Sequence, residues 1–296
     1  AVSYAESIIG GWNQNAVIIK AKRKDLLRNI ANWGVFVAFN DPLLVDEALS
    51  VMDGKLKGNK IPISNLGRIA ETVGIDRHQF NDLYEVLDSG PYSVIYGGEE
   101  EVRKVMLISP NKYARARQND KRGEEIFNEY AGKVLVPNRI RLNTAHALAL
   151  YSKERTLSNL FYAVNLKKDC NEIESEKALV AWLNSTWGLL TILAERQETE
   201  GAFISHNLTQ WRLQPVLDVC ALDKDYIMSL AAAFDKYASV DFGRIPNQYG
   251  TFNKDRFNFD MEILHTLNPG LSHSDAEDYL KGLYTRISSS LAAWTG

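Results

Sequence analysis

The stretch SEKALVAWLNSTWGLLTILAERQETEG, residues 175–201, limits the fold more than any other. Leu179, Trp182, Leu183, Leu190 and Leu193 recur there at helical spacing. The spacing predicts one long helix closed by Gly201, a residue suited to the C-terminal cap. Its aromatic and leucine side chains need apolar surfaces around them, so the helix reads as scaffold inside a core. Ser185 and Gly188, three apart, leave a small patch on it where another backbone can come close.

The chain can supply such a core. It has 296 residues, 45% apolar and 24% charged, the composition of an ordinary globular protein. That length suits one large domain or two smaller ones. No apolar run approaches ~20 residues, so no transmembrane helix is expected. The opening AVSYAESIIGGWNQN has no basic region followed by a long apolar one, so no signal peptide is expected. It also lacks an initiator Met, as a processed protein or a piece of a longer one would. Cys170 and Cys220 are far apart in sequence. They give neither a disulfide framework nor the closely spaced pairs of a zinc site, and a reducing cytoplasm fits. The net charge of −3 argues against binding nucleic acid by bulk charge but leaves room for a local basic face.

Along the chain, residues 15–41 read as a strand, a polar segment and a second strand at WGVFVAF. In DPLLVDEALSVMD, Asp41 is an N-cap candidate and Pro42 takes the first helical position. GKLKGNK (54–60) reads as a loop, and IPISNLGRIAETVG (61–74) as an extended entry with Ser64 or Asn65 capping a short helix or turn. Residues 88–110 read as turn, strand, acidic loop and strand, and residues 111–132 as a polar loop leading into a helix. Strands are expected within 133–152 and 157–167. From about residue 215 the pattern turns helical, and SDAEDYLKGLYTRISSSLAAW opens on a capping box of Ser274 with Glu277. The expected fold is α+β: a mixed strand and helix domain over residues 1–218, then a helical C-terminal region over 219–296.

No catalytic motif is present. The sequence has no G-x-x-x-x-G-K-S/T, no G-x-G-x-x-G after a strand, no G-x-S-x-G and no H-E-x-x-H. The five histidines are scattered. Ser205 and His206 are neighbours whose side chains point apart, a poor nucleophile–base pair. The run GGEEE (97–101) reads as a solvated hairpin loop, because adjacent carboxylates do not converge on a metal. No catalytic residue, metal ligand or cofactor-binding residue is assigned.

Basic clusters are the clearer signal. KYARARQNDKR carries Lys112, Tyr113, Arg115, Arg117, Gln118, Lys121 and Arg122, and KAKRKDLLR carries Lys20, Lys22, Arg23, Lys24 and Arg28. VPNRIRLNT (136–144) alternates. In an extended strand one face would carry Arg139, Arg141 and Asn143, and the other Ile140 and Leu142. Arginine suits a bidentate contact to guanine or phosphate, and Asn or Gln suits adenine. Each cluster taken alone could be a solvated face. Arg139 and Arg141 could also pair with Glu124, Glu125 or Glu129. Together, in a slightly acidic chain, the clusters point to a segregated DNA-facing surface.

Three segments in order carry a family resemblance: VLVPNRIRLNTAHALALYS, then ALVAWLNSTWGLLTILAERQETEGAFISHNLTQWRLQPVLD, then a helical tail containing LAAAFDKYA. Together they resemble the C-terminal part of large bacterial N6-adenine DNA methyltransferases of restriction–modification systems. IPISNLGRIAETVGIDRHQF looks like the entry to their target recognition domain. The resemblance spans roughly residues 60–245, and its most specific part is the tryptophan-rich helix followed by PVLD. It implies binding to double-stranded DNA through Arg139, Arg141 and Asn143, with Lys112, Tyr113, Arg115, Arg117, Lys121 and Arg122 alongside. Such enzymes also carry a glycine-rich loop for S-adenosylmethionine and an N/D-P-P-F/Y motif for the flipped adenine. Neither is here, and FNDPLL (39–44) reads as a helix cap. The resemblance therefore implies a DNA-reading part whose partners are a catalytic domain of the same parent chain and other restriction–modification subunits. The competing expectation is an assembly module that docks on a protein through its helical tail, using Phe252, Phe257, Phe259 and Tyr284.

Overall fold

The structure, a computed structural model, describes residues 34–97, 102–117, 120–198 and 203–295. The first half runs α1 (Gly34–Ala38), α2 (Pro42–Met52), β1 (Lys55–Leu56), β2 (Asn59–Lys60), β3 (Ile63–Asn65), α3 (Leu66–Ile69), β4 (Ala70–Val73), α4 (Arg77–Leu83), β5 (Tyr84–Leu87), β6 (Tyr92–Ile95), β7 (Leu107–Ile108), β8 (Lys112–Ala116), α5 (Asp120–Tyr130) and β9 (Gly132–Pro137). Then follow β10 (Arg139–Arg141), β11 (Leu150–Ser158), β12 (Phe161–Leu166), α6 (Ile173–Asn184), α7 (Thr186–Ala194), β13 (Gln197–Glu198), β14 (Phe203–Ser205), α8 (Leu208–Leu213) and β15 (Pro215–Leu217). Four helices complete the chain: α9 (Lys224–Tyr237), α10 (Ile245–Gly250), α11 (Lys254–Leu267) and α12 (His273–Thr295). The class is α+β.

The main sheet has the order β4-β12-β9-β11-β6-β8-β5, with β7 also paired to β11. It is mixed: β11 runs parallel to β6 and β7, and the other pairs are antiparallel. A separate three-stranded sheet has the order β10-β14-β13. One apolar core extends from Val35 to Leu291 and includes the fully buried Trp182, Trp187 and Trp211. Helix α9 packs on α6, and α7 packs on α1 and α2, so the core is continuous across residue 218. A second, smaller cluster of Phe80, Tyr84, Val94, Ala114 and Ile126 lies under β5, β6 and β8. Among the described residues, no helix is long and apolar enough to cross a membrane.

The tryptophan-rich segment is not one helix. It breaks at Ser185, whose extended backbone ends α6 and whose Oγ caps α7 by accepting from the Gly188 N–H at 3.1 Å. A Cβ on Gly188 would lie 2.2 Å from the Trp182 carbonyl oxygen, so only glycine fits the break. Asp260 on α11 holds the new helix start, accepting from the Thr186 N–H at 2.9 Å and the Thr186 hydroxyl at 2.6 Å. Helix α7 then stops at Ala194, short of Gly201, which lies outside the described residues.

Other expectations also shift. WGVFVAF holds a helix, not a strand, because its buried residues Val35, Ala38 and Phe39 are spaced to fall on one helical face. GKLKGNK folds as the β1–β2 hairpin, with Lys57 and Gly58 at positive φ. Residues 112–116 form strand β8, not a loop: Ala114 is buried while its neighbours face outward. Helix α12 is capped by Ser272, which accepts from the Asp275 N–H at 3.2 Å, two residues before the expected box. Phe259 and Tyr284 are fully buried and Phe257 packs on the core, leaving Phe252 as the exposed aromatic of the four expected docking residues. Cys170 and Cys220 do not stay apart; they are joined, with Cα atoms 5.1 Å from each other. The strand and basic cluster expected before residue 34 lie outside the described residues.

Candidate nucleic-acid interface

Strand β10 follows β9 after one bend at Asn138, and its conformation is fixed from both sides. The Pro137 carbonyl accepts from Trp211 Nε1 at 2.8 Å, and the Asn138 carbonyl accepts from the His206 N–H at 3.0 Å. The side chain of Arg103, 3% exposed, donates through Nη2 to the Arg139 carbonyl at 2.8 Å and lies over the Phe161 ring. Buried partners of this kind leave the strand little freedom to re-pair.

The expected alternation is present over three residues. Arg139 and Arg141 are exposed, and Ile140 is fully buried against the core. The antiparallel partner β14 pairs Arg139 with Ser205, Ile140 with Ile204 and Arg141 with Phe203. Ile204 is buried like Ile140, so the outer face of the pair carries Arg139, Arg141, Ser205 and Phe203. The Arg141 guanidinium carbon sits 4.3 Å from the Phe203 ring centroid, a cation–π contact. Asn143 is exposed but does not continue the row. The strand ends at Arg141, whose carbonyl accepts from Ala145 N–H at 2.8 Å, and Asn143 sits in the turn so closed.

The alternative pairing with acidic residues is not formed. Among the described residues neither Arg139 nor Arg141 enters an ion pair, and Glu125 pairs with Arg122 at 3.6 Å.

The second basic set lies on β8 and α5, in the main sheet, so the structure does not gather the two sets on one sheet. Lys112 binds Asp88 at 2.6 Å, which holds the Asp88 carboxyl below its usual range. Arg117 donates Nε to the carbonyls of Asn81 at 2.9 Å and Tyr84 at 3.0 Å, tying the end of β8 to α4 and β5. Tyr113 is half-buried between Leu87 and Ser93. Arg122 is taken by Glu125. Arg115 and Lys121 remain exposed and, among the described residues, without an ion pair. Gln118, Glu99, Glu100 and Glu101 lie outside the described residues, as does the cluster from Lys20 to Arg28.

Phe203, Ser205 and Arg103 were not legible as site residues. Phe203 and Ser205 reach Arg141 and Arg139 only through strand pairing, and an isolated Arg103 carries no local signal. His206, next to Ser205, points inward: it is fully buried and stands edge-on to Trp211, ring centroids 4.5 Å apart. Burial pushes its imidazole pKa down to about 4. No hydrogen bond joins it to Ser205 among the described residues, and its ring serves the core packing on Trp211. Among the described residues, no three His, Cys, Asp or Glu side chains are grouped to hold a metal ion.

The fold is similar to part of a solved structure. The type IIG restriction endonuclease BpuSI aligns with 94% of this chain at a TM-score of 0.55 and 12% sequence identity. This chain spans 36% of that one, about a third of its length. At that identity the likeness is one of fold. The HsdS subunit from Thermoanaerobacter tengcongensis aligns with 92% of this chain and 55% of its own, at 13% identity and a TM-score of 0.35, too low for its fold to bear on this one. No protein-family profile and no curated protein matches the sequence.

Proposed function

We propose that this chain is the DNA-recognition part of a restriction–modification adenine-N6 DNA methyltransferase. The observation that carries the reading is the outer face of β10 and β14. Two arginines stand there exposed and free of ion pairs among the described residues, on a strand pinned from beneath by buried groups. Guanidinium groups left unpaired on a rigid element suit contacts to phosphates and base edges. Arg115 on β8 and Lys121 on α5 would add sequence-independent attraction to the phosphates. The fold likeness to BpuSI, a restriction endonuclease, supports the same reading.

The partners under this reading are double-stranded DNA, a catalytic domain in the parent chain, and further restriction–modification subunits, in a bacterial cytoplasm. S-adenosylmethionine would supply the methyl group at that catalytic domain. The motifs that hold it are absent from this sequence. The chain's own share of the reaction is to place the enzyme at its site while a target adenine is taken out of the stack. A protein-docking module without DNA binding is less well supported, because Phe259 and Tyr284 are used by the core.

Alanine at both Arg139 and Arg141 tests the reading. Both side chains are exposed, so the melting temperature should hold, with a stability change within about 0.5 kcal/mol, while duplex binding falls at least tenfold. Unfolding of the double variant with no separate binding defect would remove the proposal.

A further inference from the structure

We propose that Arg141 and Phe203 act as one unit that reads a guanine in the major groove, with Phe203 as the positioning residue. The inference rests on the DNA reading above and deepens it.

Several arginines in the fold spend their N–H donors inside the protein. Arg117 spends its Nε on two carbonyls, Arg103 donates to the Arg139 carbonyl, and Arg122 is taken by a carboxylate. Arg141 lies over the Phe203 ring and, among the described residues, enters no ion pair. A cation over the face of a ring is attracted by the ring's electrons and gives up none of its N–H donors. The guanidinium is thus ordered yet keeps its fork for an outside acceptor. Guanine offers O6 and N7 side by side on its major-groove edge, and the fork matches both.

The surroundings suit that groove. Arg141 and Phe203 lie directly opposite each other on antiparallel strands, with Arg139 and Ser205 next in the row. The major groove is wide enough to admit a β element, and guanine shows O6 and N7 only there. Phe203 is 37% exposed, so its ring stands at the surface, and Ile204 beside it takes the core position. Ser205 adds a hydroxyl that can donate or accept beside Arg139.

The test uses the full chain and a duplex selected by it from a random-sequence pool. Replacing the recognised guanine by 7-deazaguanine removes the N7 acceptor. It should weaken wild-type binding roughly tenfold, the size of a lost bidentate contact, and should leave the Arg141→Ala variant unaffected. Phe203→Leu keeps bulk but removes the ring. It should lower the preference for the selected duplex over a mixed-sequence duplex roughly fivefold, with the salt dependence unchanged, and Phe203→Tyr should restore the preference. Equal binding of guanine and 7-deazaguanine duplexes, or a Phe203→Leu variant as selective as wild type, would overturn the inference while leaving DNA binding in place. Failure of the wild-type chain to bind any duplex would instead overturn the DNA reading, and this inference with it.

Discussion

Asp260 accepts two hydrogen bonds from Thr186, one from its backbone N–H at 2.9 Å and one from its hydroxyl at 2.6 Å. The same carboxylate accepts from Tyr284 at 2.6 Å and pairs with Arg256 at 3.0 Å, all inside the core. Arg256 also donates to the Asn184 carbonyl, the last residue of α6. One buried ion pair therefore closes both sides of the helix break and joins the C-terminal helices to the scaffold.

Asp260→Ala should cost about 3–5 kcal/mol, because it leaves the Arg256 guanidinium buried without its counter-charge. Denaturant unfolding followed by circular dichroism measures this. A loss below about 1 kcal/mol would show that the network does not hold the break.

Gly188→Ala should cost about 2–3 kcal/mol in the same measurement, because the new methyl meets the Trp182 carbonyl oxygen and not a flexible side chain. An unbroken helix at this point would instead gain stability from alanine, so the sign of the change decides between the two geometries.

How much could be seen in the sequence follows from the range of the forces involved. The Asp41 cap of α2 and the inward Ile140 and Leu142 were legible because each depends on residues a few positions away. The break at Ser185 was not, since its stabilising partner Asp260 comes from α11. Strand β8 was hidden by its polar composition, and only the buried Ala114 marks its inner face. At the candidate site, Arg139 and Arg141 could be named, whereas Asn143 was misplaced because the turn after Arg141 ends the alternation. Phe203 was invisible because strand pairing, not local pattern, brings it to Arg141.

Stability should fall in mild acid. The unfolded His206 takes up a proton near its ordinary pKa of about 6.5, while in the folded chain it does so only near 4. Between those values the unfolded state binds more protons, so stability drops as pH falls from about 6.5 to about 4, by about 3 kcal/mol in all. Unfolding free energies across this range measure the slope attributable to His206. His206→Phe should flatten it, and an unchanged slope in that variant would contradict the assignment.

Reduction of the Cys170–Cys220 bond should lower stability by about 4 kcal/mol if loop-closure entropy dominates, given a sequence separation of 50. Cys220 is exposed, so a reductant can reach the bond. Unfolding curves with and without dithiothreitol test this, and in a reducing cytoplasm the lower value would apply. Identical curves would mean that the two sulfurs do not bond in solution.

The central claim is that this chain binds DNA through a few free cations. Fluorescence anisotropy of the chain with mixed-sequence duplex DNA, titrated with salt, tests it most directly. If Arg139, Arg141, Arg115 and Lys121 meet the phosphates, the logarithm of the binding constant should fall linearly with the logarithm of salt, with a slope of about −2 to −4. No binding at low salt, or binding indifferent to salt, would contradict the account.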